Sequence, residues 1–229
     1  GETNSRYKEL LGVIYDNQSE EGWYKEYEGA DPGYQTLCTY YLYCAYMITL
    51  DQDLLDSLKR SAKFLSFFIH PNGTIGGLYG SRNTEIFYPG GIISLANEIK
   101  DFALIADPKG QHILPQNIDI GNYIPLLNSY AVAALNYDKI EHCITNSSIS
   151  PFFLKNGEKI FEKAGIYMFS NIKYFAILNF KKGGVLKVFD KNNNICIEDG
   201  GLFGVLKNGK KISSQKFDDK INFNNSEIV

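Results

Sequence analysis

The 229-residue chain contains no run of 18 apolar residues, which argues against a transmembrane helix. Its opening residues, Gly1-Glu2-Thr3-Asn4, are polar and lack the apolar core of a signal peptide. The expectation is a cytoplasmic protein, or a periplasmic or extracellular one whose leader has been removed. The four cysteines, Cys38, Cys44, Cys143 and Cys196, form no CxxC pair, so they read as buried free thiols rather than a disulfide framework or a zinc site. The three histidines, His70, His112 and His142, occur in neither an HxH nor an HExxH arrangement, and no metal is expected. Gly76-Gly77 and Gly90-Gly91 lack the strand and the following lysine of a phosphate-binding loop, so no nucleotide cofactor is expected. No basic cluster is interleaved with aromatics, which sets nucleic acid aside as a partner. Self-similarity at a short period is also missing, which disfavours a repeat protein.

Aromatic residues, by contrast, are plentiful. They make up 14% of the chain, as 16 Tyr, 15 Phe and the single Trp23. Charge is unevenly spread: residues 1–150 hold 10 Lys+Arg and 18 Asp+Glu (net −8), and residues 151–229 hold 13 and 8 (net +5). The division implies a helical domain over 1–150 and an antiparallel β domain over 151–229.

In the first part, apolar residues recur at helical spacing. Residues 6–15 carry Tyr7, Leu10, Leu11 and Ile14 on one face. Asp31-Pro32 is a helix start, an acceptor side chain followed by proline in the first turn, ahead of Leu37, Cys38, Tyr41, Leu42, Ala45 and Ile48. Asp51 is placed to cap a helix bearing Leu54, Leu55, Leu58, Ala62, Leu65 and Phe68. Pro89 begins a helix with Ile92, Leu95, Ala96, Ile99 and Ala103, stopped at Asp107-Pro108. Pro125 is read in the first turn of the last helix. Alternating short and long connections suggest stacked antiparallel pairs.

Beyond Asn156-Gly157, residues 159–169, 172–180 and 185–189 are β-branched and aromatic runs separated by turn residues. Alternation places Tyr174, Ala176, Leu178 and Phe180 on one strand face. Asn208-Gly209 is a hairpin signal.

Chemistry concentrates in two loops. Residues 21–35 pack Trp23, Tyr24, Tyr27 and Tyr34 among Glu21, Glu26, Glu28 and Asp31, offering aromatic faces for sugar rings and carboxylates for hydroxyl recognition. The structural alternative is that Trp23 and Tyr24 fill a gap and Asp31 only caps. Residues 79–91 crowd Arg82, Asn83 and Glu85 before Tyr88 and Pro89. Arg82 can hold a carboxylate bidentately, Asn83 can bond a sugar hydroxyl, and Tyr88 can exchange protons. The structural alternative here is a pair of Arg82 with Glu85 or Glu28 that staples the loops. Because two consecutive antiparallel helices separate the loops, both should emerge on one rim.

The order of helical pairs, an aromatic-acidic segment over 21–34, a polar segment over 81–91, and strands over 164–167 and 185–189 resembles the heparinase II/III-like proteins, polysaccharide lyases and their relatives. That resemblance implies an α/α toroid, here incomplete at five helices, followed by a β-sandwich segment, with further segments of the parent chain as partners. It also implies an eliminase acting on a uronate-containing polysaccharide or oligosaccharide. Tyr88 would be the general base and acid. Asn83, Gln35 or Glu26 would take the place of the carboxylate-neutralising residue with Arg82 assisting, and Trp23, Tyr24, Glu26, Tyr34 and Glu85 would bind substrate. The β half holds no histidine to match the assisting one of such lyases. The alternative role is a non-catalytic carbohydrate-binding or surface-polysaccharide assembly protein.

Overall fold

The computed structural model describes residues 2–106, 120–139, 150–218, 220–221, 223–224 and 227–228. His112, His142 and Cys143 lie outside them.

Helix α1 (Glu2–Asp16) buries Leu11 and lays Tyr7, Ile14 and Tyr15 against the core. Helix α2 (Pro32–Thr49) begins as its sequence requires, with Pro32 in the first turn and the Asp31 carboxylate accepting the Tyr34 N–H at 2.9 Å. It closes on Leu50, a left-handed residue at φ 51°, whose N–H bonds the Tyr46 carbonyl. Asp51 then accepts the N–H groups of Asp53 and Leu54 and starts α3 (Gln52–Leu65), which runs on as a 3-10 turn over Ser66–Phe68. The stripe Leu54, Leu58, Ala62 and Leu65 is fully buried. Each leucine there stabilises the fold by about 1.5–3 kcal/mol.

The single helix expected from Pro89 is two, α4 (Pro89–Ser94) and α5 (Lys100–Ile105), joined by a turn. The apolar spacing still holds, since Ile92, Leu95, Ala96, Ile99, Phe102 and Ala103 all reach the core. The opening Gly90-Gly91 and β-branched Ile92-Ile93 have weak helix propensity, so packing rather than local preference shapes the segment. Helix α6 (Ile120–Asn136) starts a turn earlier than expected, which leaves Pro125 inside it, where an N–H is lost from the helical ladder. Helix α4 packs against both α2 and α6.

Five antiparallel strands follow in chain order: β1 (Gly157–Phe161), β2 (Ile166–Ser170), β3 (Tyr174–Asn179), β4 (Val185–Asp190) and β5 (Ile195–Asp199). Residues 159–169, expected as one run, hold the β1–β2 turn. Two-stranded ribbons, β6 (Phe203–Val205) with β7 (Lys211–Ser213) and β8 (Phe223–Asn224) with β9 (Glu227–Ile228), complete the described chain. The inward face of β3 is Phe175, Ile177 and Asn179; Tyr174, Ala176 and Leu178 lie on the outer face, and only Phe180, just past the strand, is buried with the inner set. Cys38 and Cys44 are partly buried thiols, whereas Cys196 is exposed, because β5 is an edge strand. Architecture is thus helices followed by small antiparallel sheets.

Helices and main sheet share one core. Phe161 of β1 packs on Phe64, Phe67 and Phe68, with ring centroids 4.9, 5.4 and 5.6 Å away. Phe161→Ala should therefore cost about 3–5 kcal/mol in a denaturant titration, the usual range for a buried phenylalanine. It should also lower the unfolding midpoint of helical and sheet probes together. A loss confined to the sheet would mean that the halves fold independently.

Candidate functional site

The two loops do meet on one rim. Ser81 donates its N–H to the Ala30 carbonyl (2.9 Å) and its hydroxyl to the Glu26 carbonyl (2.7 Å). Asp31 is the joint between them. Besides capping α2, its carboxylate accepts the Arg82 N–H at 2.8 Å and the Thr84 hydroxyl. Burial pushes the Asp31 carboxyl above its usual range, while Thr84 and the N–H groups of Tyr34 and Arg82 pull it back. Gly76, at φ 85°, lets Thr84 approach: a Cβ at Gly76 would strike the Thr84 carbonyl oxygen.

Arg82 follows from this joint. Its guanidinium lies over the Tyr34 ring (4.1 Å to the centroid) and the Tyr27 ring (4.6 Å), and donates to Glu26 at 3.1 Å. The rim is open here: Tyr27 is 68% exposed, and the Arg82 and Glu26 side chains 31% and 34%. The expected staple of Arg82 to Glu28 or Glu85 is replaced by this pair with Glu26. Tyr34, Glu26 and Lys25 line a groove of about 360 Å³ that continues to Gln35, Asn17 and Ile14. Gln35 is buried and donates to Ser61 (2.8 Å) and the Gly22 carbonyl (3.2 Å); its Oε1 has no hydrogen-bond partner among the described residues.

Of the other site candidates, Tyr24 borders the same groove, while Tyr88 and Trp23 lie apart from it. Tyr88 is 1% exposed, packed with Tyr40 and Leu126 in a small second core, and its N–H goes to Thr36. A phenol in that position does not open onto the rim. Tyr24 is also a core residue, its hydroxyl bonded to Ser57 at 2.7 Å, and burial raises its pKa. Trp23 is half-buried at the far side of the first loop and donates its indole N–H to Glu21 at 2.8 Å.

Asn83 and Glu85 are held by the sheet. Lys182, buried just after β3, donates its ammonium to the Leu78 and Gly80 carbonyls and to Asn83 Oδ1. Asn83 sits at φ 59°, a region asparagine tolerates better than most residues. Lys187 of β4 pairs with Glu85 and with Glu198 of β5 at 2.8 Å. Asn179 donates to the Tyr79 carbonyl at 2.8 Å. His70 is fully buried between Thr74 (2.8 Å) and the Tyr79 hydroxyl (2.9 Å), and burial and then Lys187 hold it neutral. These lysines were missed from sequence, although Lys187 left a signal. It falls on the inward face of β4 between Val185 and Phe189, where an ammonium must find an acid. Among the described residues no group of three metal-ligating side chains gathers.

Two substitutions test this clamp. Asp31→Asn turns an acceptor oxygen into a donor facing N–H groups, and should destabilise the fold by about 1–3 kcal/mol in urea titration. Burial lowers Lys182 to about 8 from 10.5. The unfolded chain then binds the Lys182 proton more tightly, so this group's contribution to stability increases as pH rises from about 8 towards 10.5. Lys182→Met should cost about 1.5–3 kcal/mol at neutral pH through its orphaned acceptors. It should also abolish that alkaline rise relative to the parent chain; parallel stability profiles for the two proteins would disprove the assignment.

No family model matches the chain, and neither the curated proteins nor the solved structures yielded a match.

Proposed function

We propose that the protein recognises an acidic oligosaccharide or polysaccharide on the rim where loops 21–35 and 79–91 meet. The observation that carries this reading is the partly exposed stack of Arg82 with Tyr27 and Tyr34, hydrogen-bonded to Glu26, with Tyr34 and Glu26 lining the adjoining groove. An arginine fork matches a uronate carboxylate, and aromatic faces match the C–H faces of sugar rings. Glu26 holds the guanidinium in place, and an arriving carboxylate adds to this pair or displaces it.

The likeness to heparinase II/III-like proteins gives the larger frame: the helices as part of an α/α toroid, the sheets as part of a β-sandwich. Hydrogen bonds joining the two long loops on one rim support that frame. Within it, recognition is the better supported role, because Tyr88 is buried away from the rim. Elimination on a uronate is the second reading. Tyr34 favours it, as the tyrosine beside both Arg82 and the groove, in a position to take the proton alpha to a clamped carboxylate and return it to the leaving oxygen.

Calorimetric titration with uronate oligosaccharides should give micromolar or weaker binding, as shallow polar sites do. Arg82→Ala should weaken it about tenfold or more, the loss of a charge-assisted pair. Tyr34→Phe should keep most of the binding and abolish any rise in ultraviolet absorbance from a new unsaturated bond. Folded protein that ignores every acidic glycan offered would refute the proposal.

A further inference from the structure

A second cleft, of about 560 Å³, opens where the first loop meets the sheet, within the roughly 300–1,000 Å³ that ligand pockets span. Trp23 lines it together with Lys25, Lys163 and Lys181, the last two from turns of the β half. Trp23 and the backbone of Lys163 are fixed relative to one another by a single carboxylate. Glu21 accepts the Trp23 indole N–H at 2.8 Å, and also the backbone N–H groups of Lys163 (2.9 Å) and Ala164 (3.0 Å). It thereby bolts the aromatic ring to the β1–β2 turn. In that turn Gly165, at φ 72°, lies under the Lys181 stem: a Cβ at Gly165 would come within 2.5 Å of Lys181 Cβ and Cγ. The stem is thus guided across the turn, with Lys181 Nζ 3.4 Å from the Lys163 carbonyl.

Three lysines gather here around the chain's only tryptophan, Lys25 from the acidic helical part (net −8) and Lys163 and Lys181 from the basic β half (net +5). The acids on the cleft wall are Asp16 and Glu20. Glu20 pairs with Lys163 at 2.6 Å, but its side chain is 86% exposed, and a solvated pair of this kind exchanges readily for another anion. Asn17 and Lys25 line both this cleft and the groove beside Tyr34, so the two are neighbours along one surface.

Resting on the reading of the Arg82 rim as a glycan site, we infer that the Trp23–Lys163–Lys181 cleft is a second subsite, taking a further anionic sugar unit of the same chain. Its ring lies on the indole face and its carboxylate or sulfate among the lysines. The ligand class is therefore a glycan with acidic groups on more than one unit, long enough to run from Arg82 past Lys25 to Trp23.

Trp23 is its own reporter, since no other tryptophan contributes fluorescence. Titrating the full chain with oligogalacturonate tetramers should change the Trp23 emission, whereas a neutral tetraose such as maltotetraose should leave it unchanged. The double variant K163A/K181A, altering two side chains that are not part of the core, should bind the tetramer about tenfold more weakly, and with a shallower salt dependence, the sum of two modest ion pairs. Its binding of the galacturonate monomer at the Arg82 rim should be unchanged. Tetramer binding that depends on Arg82 in calorimetry, but neither moves Trp23 emission nor responds to K163A/K181A, would overturn the second subsite and leave the rim intact. Failure of the tetramer to bind at all would overturn both.

Discussion

A carboxylate kept from water has to take its hydrogen bonds from the protein, and at Asp31 that requirement organises the whole rim. The side chain is 1% exposed and accepts the Tyr34 N–H, the Arg82 N–H and the Thr84 hydroxyl. The first of these starts helix α2. The other two draw a segment with no regular structure of its own into a defined path beside the first loop. An uncompensated buried carboxylate would cost far more than one neutral hydrogen bond contributes, so the three donors act together in fixing the loop. Arg82 reaches Tyr27, Tyr34 and Glu26 only because its backbone is held there.

The sheet grips the same segment from the other side. Lys182 collects the Leu78 and Gly80 carbonyls and Asn83, and Lys187 collects Glu85. Helical and β halves therefore cooperate on the one stretch from Leu78 to Glu85, in addition to sharing the phenylalanine cluster around Phe161. Rigid support from two elements is what a recognition surface needs, since a loop already in its binding shape loses little entropy on meeting a ligand. The same clamp ties up Asn83 Oδ1 and the Glu85 carboxylate, and leaves Arg82, Tyr27, Tyr34 and Glu26 as the cluster where the two loops join.

Burial also sorts the tyrosines. Tyr24 and Tyr88 look equivalent to Tyr34 as letters beside polar residues, yet Tyr24 bonds Ser57 in the core and Tyr88 packs on Tyr40 and Leu126. Tyr34, one turn into α2, lies under the Arg82 guanidinium at the groove. The proposed acidic-glycan site accordingly rests on Tyr34 and Arg82, with Trp23 and the lysines of the β1–β2 and β3–β4 turns extending it.

The sequence alone determined what local rules govern. The Asp31-Pro32 and Asp51 helix starts, the buried stripe of α3, the β texture after residue 156 and the meeting of two loops on one rim all follow from capping chemistry, periodicity and the length of a helical hairpin. Tertiary structure alone decided what depends on distant partners. The break between α4 and α5 falls at Leu95–Ile99, where leucine, alanine and glutamate would sustain a helix, so it came from packing of α4 on α2 and α6 and of α5 on α3; Pro125 was drawn inside α6. The inward face of β3 was set by which alternate residues met the helical core, because alternation marks two faces without saying which is buried. Likewise Arg82 took Glu26 rather than Glu28 or Glu85, and Asn83 and Glu85 went to lysines about a hundred residues away. A charge near a loop announces that it needs a partner, but the partner's identity is a matter of three-dimensional proximity, which spacing along a chain does not encode.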